Sequence, residues 1–131
     1  MRVLLDTHIL LWALVEPRRL DRETRATIET SDTEVLFSAA SIWEIAIKSG
    51  LGRSDFAFDA EEIAQAALDT GFTEIAVRAK AAALVARLPL LHRDPFDRVL
   101  VAQAIVEPAT LYTADQQLVP YSDLVRHVGS T

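Results

Sequence analysis

Near its amino terminus the chain runs Val3-Leu4-Leu5 and stops on a carboxylate, Asp6. An unbroken apolar run that short is the pattern of a strand buried on both faces, and such strands belong to parallel sheets covered by helices. A second apolar pattern follows at once, with Leu10, Leu11 and Leu14 at helical spacing. Strand, acid and helix in such quick succession open a strand–helix–strand unit. In open sheets built from such units, ligands bind beyond the carboxyl ends of the strands. Asp6 therefore stands either as a helix cap or as the first member of a site.

The same alternation continues along the chain. Short strands are predicted at 34–37, 72–76, 110–113 and 124–128. Between them, Asp21 caps a helix over 22–29, and Ser38 opens one that closes at Gly50 and Gly52. Asp59 and Glu62 have capping-box spacing before a helix that stops at Gly71. Alanine-rich 77–87 reads as one helix, stopped before Pro89. Asp94-Pro95 starts another that ends before Pro108, and 114–118 is a last short one. Strands alternating with helices imply right-handed crossovers. The expected fold is α/β, a three-layer α/β/α sandwich with a short, mostly parallel central sheet. No repeat, low-complexity stretch or linker interrupts residues 1–131, so a single domain is expected.

Half of the 131 residues are hydrophobic, enough for a real core. No apolar run reaches membrane-spanning length, and no basic start precedes an apolar stretch and cleavage site. The expectation is a cytoplasmic protein with no membrane partner. With no cysteine there is no thiolate zinc site, and His8, His92 and His127 lie far apart without metal-ligand spacing. The net charge of -6, from 13 Lys plus Arg against 19 Asp plus Glu, argues against holding nucleic acid by bulk electrostatics. It does not exclude a nuclease, because cations bound by a carboxylate cluster restore attraction for phosphate.

Asp6, Glu44, Asp97 and Asp115, with Asp94 beside them, are the acids to weigh. Each has an ordinary reading. Glu44 has capping-box spacing from Ser41 and pairs i,i+4 with Lys48. Asp94 is a natural N-cap, which puts Asp97 in a first helical turn that the helix dipole favours. Asp115 falls inside a Thr113/Gln116 capping box. Each also has a reason to be more. Glu44 is flanked by Ile42, Trp43 and Ile45; Asp97 shares a face with Leu100, Val101 and Ala104. A lone carboxylate on a buried face is costly unless paired or metal-bound. Asp6 and Asp115 both follow predicted parallel strands, which puts them at one sheet edge.

Carboxylates gathered at one edge repel, by about 4 kcal/mol for two unit charges at 4 Å and an effective dielectric near 20. Divalent cations or retained protons relieve that. Oxygen ligands without cysteine or a histidine pair favour Mg²⁺ or Mn²⁺ over zinc. Such ions promote in-line displacement at a phosphodiester.

The segments that carry these acids are Leu4-Leu5-Asp6-Thr7-His8, then Ser38-Ala39-Ala40-Ser41-Ile42-Trp43-Glu44-Ile45-Ala46-Ile47-Lys48. Leu88-Pro89, His92-Arg93-Asp94-Pro95-Phe96-Asp97-Arg98 with Leu100-Val101-Ala102-Gln103-Ala104, and Leu111-Tyr112-Thr113-Ala114-Asp115 come after them. In this order they resemble the PIN-domain ribonucleases, specifically the VapC toxins of bacterial toxin–antitoxin pairs. The resemblance implies an acidic pocket in which Asp6, Glu44, Asp97 and Asp115 bind Mg²⁺ or Mn²⁺. It implies cleavage of structured RNA, such as tRNA or rRNA, to leave a 5′-phosphate. It makes Thr113 a group that orients water or a carboxylate; Asp94 marks a subgroup to which the resemblance gives no catalytic role, and it stands as an N-cap with an accessory role as the alternative. It also implies a homodimer blocked by a cognate VapB-type antitoxin.

Lys48 and Arg93 lie beside the acids and are candidates to hold phosphate. Arg98, i+4 from Asp94, reads as an ordinary ion pair. Trp12, Trp43 and Phe96 read as core or dimer surface. Three rival functions stand beside this one. An Asp-nucleophile phosphatase of the haloacid-dehalogenase type needs a second Asp where His8 stands. A DNA-directed flap-type relative needs clamping elements for which the chain has no room. A catalytically silent RNA- or protein-binding module on the same fold is the remaining alternative.

Overall fold

The alternating segments close into one five-stranded sheet in the computed structural model, which describes residues 1–52 and 56–129. In chain order the elements are β1 (Arg2–Leu5), α1 (Thr7–Val15), α2 (Arg22–Glu29), β2 (Glu34–Ser38), α3 (Ala39–Gly50), α4 (Ala60–Thr70) and β3 (Thr73–Ile75). They continue with α5 (Ala79–Leu84), α6 (Pro95–Val106), β4 (Thr110–Thr113) and β5 (Val125–His127). The strand order is β3-β2-β1-β4-β5, and every pairing is parallel. From β1 the chain steps outward through β2 to β3, then returns to add β4 and β5 on the other side. That reversal between β1 and β4 is where open sheets form a crevice beyond the carboxyl ends of their strands.

Alternating side chains on each strand feed two cores. Val3, Leu5, Val35, Phe37 and Tyr112 face Ile9, Leu10 and Leu11 of α1, Ile45 of α3 and Ile63 and Ala67 of α4. Leu4, Leu36, Leu111 and Val125 face Leu100, Val101 and Ala104 of α6, with α5 packed beside that helix. Helices on both faces make the three-layer sandwich. They also explain why the strands read as continuous apolar runs rather than alternating ones. No helix among the described residues is long and apolar enough to cross a membrane.

The caps sit where the sequence put them. Asp21 accepts from Thr24 N, Asp59 from Glu62 N, and Gly71 closes α4 at φ +96°, a left-handed turn that glycine makes without strain. Two helices differ from expectation. The predicted 77–87 helix is α-helical only over Ala79–Leu84 and tightens into a 3-10 turn at Val85–Arg87. Arg98 draws the carbonyls of Val85 (3.2 Å) and Leu88 (3.0 Å) onto its guanidinium, and Pro89 disfavours helical backbone at Leu88. Arg98 is thus a brace for this turn rather than the expected partner of Asp94. Past β4, the short helix is a 3-10 segment, Gln116–Tyr121, with Pro120 inside it withholding an N–H.

Candidate active site

Asp6, Glu44, Asp94, Asp97 and Asp115 line one cleft of about 390 Å³ with His8, Trp12, Lys48 and Ala114. It opens beyond the carboxyl ends of β1 and β4. Arg93 is exposed ahead of α6 and does not line it. Trp12, expected in the core or at a dimer surface, does line it, with Arg19 stacked 4.4 Å over its ring.

Asp6 is both a cap and a site residue. Its backbone N–H donates to Tyr112 O at 2.9 Å, which carries the β1–β4 ladder into the turn. Its Oδ1 accepts from Ile9 N (2.8 Å), and its Oδ2 accepts from Thr113 Oγ1 (2.6 Å) and Ala114 N (3.0 Å). Capping α1 is thus what aims the carboxylate. Burial pushes its carboxyl above the usual range, against the pull of these three hydrogen bonds. Thr113 also accepts from Asp115 N at 2.9 Å, so one hydroxyl ties the two acids that follow β1 and β4.

Glu44 is 2% exposed. Its Oε1 accepts from Thr7 Oγ1 at 2.6 Å, and its Oε2 is paired with Lys48. Ser41 lies 3.0 Å from Thr7 Oγ1; with the single Thr7 proton on Glu44, Ser41 is the donor of that pair. The Ser41/Glu44 capping box is therefore corrected: Ser38 caps α3 by accepting from Ala40 N, and Ser41 is interior. The Thr113/Gln116 box is likewise replaced by Asp115, whose Oδ1 accepts from Gln117 N at 2.9 Å.

Asp94 caps α6 through Phe96 N at 2.9 Å, and its Oδ2 lies 3.8 Å from Lys48 Nζ. Lys48, a candidate for phosphate, is thus engaged by two acids; burial lowers its pKa, but Glu44, Asp94 and Asp97 raise it by more. Asp97 stands apart. Its side chain is 18% exposed, and among the described residues none donates a hydrogen bond to its carboxylate. Burial first, then the charges of Asp94, Asp6 and Glu44, push its pKa up to about 7.

Three contributors were missed by sequence reasoning. Thr7, which in the sequence reads as no more than a possible cap beside Asp6, holds Glu44. Gln103, buried in α6, accepts from Ser38 Oγ at 2.6 Å and donates to Ala76 O at 3.2 Å. Its signal was a lone amide among Leu100, Ala102 and Ala104. The third is His92, which the fold brings to the acids although its sequence spacing is not that of a metal ligand. Its Nε2 lies 2.7 Å from Asp115 Oδ2 and 3.7 Å from Asp97 Oδ2, with ligand atoms of all three within 4.8 Å of one another. Twenty-three residues of sequence separate His92 from Asp115, so no linear spacing exposed it.

A family model for the PIN domain matches residues 3–123. The chain belongs to the PIN-domain family. Ribonuclease VapC22 of Mycobacterium tuberculosis (strain ATCC 25618 / H37Rv) is 33% identical to it over 120 residues, 88% of each chain. VapBC2 from Rickettsia felis, solved bound to a DNA fragment from their promoter, shares the fold at TM-score 0.69 and 17% identity over 98% of this chain and 99% of that one. FitAcB from Neisseria gonorrhoeae does so at TM-score 0.59 and 17% identity over 95% of each.

In this PIN domain the donor set suits a hard cation. Asp6, Glu44, Asp97 and Asp115 offer carboxylate oxygens, and Mg²⁺ and Mn²⁺ prefer such ligands. Among the described residues the Asp97 carboxylate has no hydrogen-bond donor, and burial first, then the charges of Asp94, Asp6 and Glu44, push its pKa up to about 7. A divalent ion would answer both deficits.

Proposed function

We propose that this PIN domain is a VapC-type toxin, an endoribonuclease dependent on Mg²⁺ or Mn²⁺. It hydrolyses phosphodiester bonds in structured RNA, tRNA or rRNA, leaves 5′-phosphate ends and is silenced by a cognate VapB-type antitoxin. The observation that carries this reading is the Asp97 carboxylate, which has no hydrogen-bond donor among the described residues and is held among Asp6, Glu44 and Asp115 at the sheet's switch point.

Asp6, Asp97, Glu44 and Asp115 would hold the ion, which would supply positive charge against the oxygens of the scissile phosphodiester. The chain's own residues do the rest. Thr113 and the Ala114 amide fix Asp6, and Thr7 fixes Glu44. Asp94 starts the helix that delivers Asp97. Lys48 stays charged beside Glu44, with a further ammonium proton to offer a phosphate, and Arg93 waits outside the cleft for the strand beyond it. Local cations, not the net charge of -6, are what attract RNA in this reading.

A homodimer is supported by an exposed aromatic surface. Trp43 is 63% exposed, stacks edge-on against Phe96 at 5.2 Å and has Ile47, 40% exposed, one turn along α3. The RNAs named lie in the cytoplasm, which is where this reading puts the protein.

The deciding experiment incubates purified protein with total bacterial RNA and Mg²⁺, Mn²⁺ or EDTA, beside Asp6→Asn. Discrete fragments that need metal and vanish in Asp6→Asn are expected, with 5′-phosphates on end-mapping. Folded, antitoxin-free protein that binds RNA without cutting it under any metal would replace this reading with a silent binding module.

A further inference from the structure

His92 has no part in that reading, yet its surroundings decide what its ring can do. The backbone N–H groups of Leu91 and His92 both donate to the Tyr121 hydroxyl, at 3.0 and 2.9 Å. The segment is therefore anchored. The backbone N–H of Asp94 then donates to His92 Nδ1 at 3.0 Å. A backbone N–H is only ever a donor, so Nδ1 must present its lone pair. A neutral imidazole that accepts at Nδ1 carries its proton at Nε2. Nε2 is the nitrogen that lies 2.7 Å from Asp115 Oδ2, so that contact is an N–H donated to a carboxylate.

His92, Asp97 and Asp115 are close enough to resemble a metal site with one nitrogen ligand. The tautomer argues otherwise. A histidine that ligates through Nε2 offers its lone pair there and donates Nδ1–H to an acceptor behind it. Here the group behind Nδ1 is itself a donor, so ligation would set N–H against N–H. Asp115 meanwhile has Oδ1 held by Gln117 N and Oδ2 held by His92, which fixes its rotation and leaves a lone pair on each oxygen for a cation.

We propose that His92 is a positioning residue: a fixed Nε2–H donor that orients Asp115 and keeps the cation site all-oxygen. This rests on the reading that Asp97 and Asp115 serve a metal. Its consequence is selectivity. Zinc gains from imidazole ligands, whereas Mg²⁺ prefers oxygen, so withholding the imidazole favours the hard ion.

Long-range ¹H–¹⁵N spectra of labelled wild-type protein read the tautomer directly. The expected result is an Nε2–H ring at His92 both without metal and at saturating Mg²⁺. A ring that carries its proton at Nδ1, or moves it there when Mg²⁺ or Zn²⁺ binds, would make His92 a ligand and overturn the proposal. Calorimetry gives the second arm. His92→Ala should weaken Mg²⁺ binding by roughly ten- to a hundredfold, the usual cost of losing a group that orients a ligand. His92→Gln, which returns an N–H near the position of Nε2, should recover most of it. Equal Mg²⁺ affinity in all three proteins would sink the positioning role. Wild-type protein that binds no Mg²⁺ would instead sink the metal reading itself, an outcome distinct from a ring that changes tautomer with Mg²⁺ bound.

Discussion

Thr7 and Glu44, thirty-seven positions apart, meet in a buried hydrogen bond of 2.6 Å, the Thr7 hydroxyl donating to Oε1. The contact joins the first turn of α1 to the second turn of α3, so the helices after β1 and β2 share a carboxylate. It accounts for an ionisable side chain 2% exposed beside a tryptophan that is 63% exposed. Glu44 is turned inward because its partners are there.

Thr7→Val keeps the shape and removes the donor. Leaving a buried acceptor unpaired costs about 1–3 kcal/mol, more when it is charged, so urea unfolding should show a loss of at least that order. RNA cleavage should fall by roughly ten- to a hundredfold, as when a group that orients a metal ligand is lost. Thr7→Ser, which retains the hydroxyl, should sit close to wild type in both. A Thr7→Val protein that unfolds and cleaves like wild type would show that Glu44 does not depend on this bond.

Asp97 gives metal-free stability a pH dependence of unusual sign. Its folded-state pKa is about 7, against an ordinary 3.8. Between those values the folded protein holds more protons than the unfolded chain, so unfolding free energy falls as pH rises. The penalty is absent below about pH 4 and complete above about pH 7, with an upper bound of about 4 kcal/mol. Asp6, whose carboxyl is also raised, acts in the same direction. Urea midpoints in EDTA should therefore decline from pH 5 to pH 8 in wild type. In Asp97→Asn the decline should be shallower, and at pH 8 that variant should be the more stable protein. Parallel curves for the two would show that Asp97 is ionised at ordinary pH.

Metal should reverse that penalty. A cation that binds only the folded state stabilises it by RT ln(1 + [L]/Kd), about 2.7 kcal/mol at a hundredfold excess over Kd. Mg²⁺ or Mn²⁺ should raise the Tm of wild type at pH 7.5 and leave Asp97→Asn nearly unmoved. Below pH 7 the ion must displace the Asp97 proton, so binding should release protons, read by calorimetry in buffers of different ionisation heat. Binding without proton release at pH 6 would mean that Asp97 is not a ligand.

Where a signal is local, the sequence carried it. Val3-Leu4-Leu5 announced a doubly buried strand, Asp21 and Asp59 announced their helices, and Asp94-Pro95 announced α6, because caps and buried strands act through neighbours in the chain. The acids were legible as oddities, charges on apolar faces or at strand ends. Of their supports, Thr113 was expected from the family resemblance alone, and Thr7 and His92 were not expected. Thr113 to Asp6, Thr7 to Glu44 and His92 to Asp115 are contacts between distant segments. Threonine and histidine in a turn carry no periodicity that separates a buried partner from a solvated one. The two misread capping boxes share this cause: Ser41 and Thr113 have the right spacing for a cap, but each hydroxyl is taken by a tertiary partner.

Gln103 does not line the cleft, but its effect should reach it. The amide accepts from Ser38, the N-cap of α3, and donates to the carbonyl of Ala76 just past β3. It therefore sets α6, which carries Asp97, against α3, which carries Glu44. Gln103→Leu is close in size but leaves the Ala76 carbonyl without that donor and the Ser38 proton without an acceptor, at about 1–3 kcal/mol for each group that stays buried. Ser38 alone is a smaller loss, since Ser38→Ala removes a cap worth about 1 kcal/mol and frees one amide oxygen. The two sites are in contact, so the double variant should cost less than the sum of the singles, with a coupling of about 0.5–3 kcal/mol in a urea-unfolding cycle. Mg²⁺ affinity should fall in Gln103→Leu although no atom of Gln103 lies at the cleft. Additive costs with unchanged Mg²⁺ affinity would mean that α3 and α6 keep their spacing through apolar packing alone.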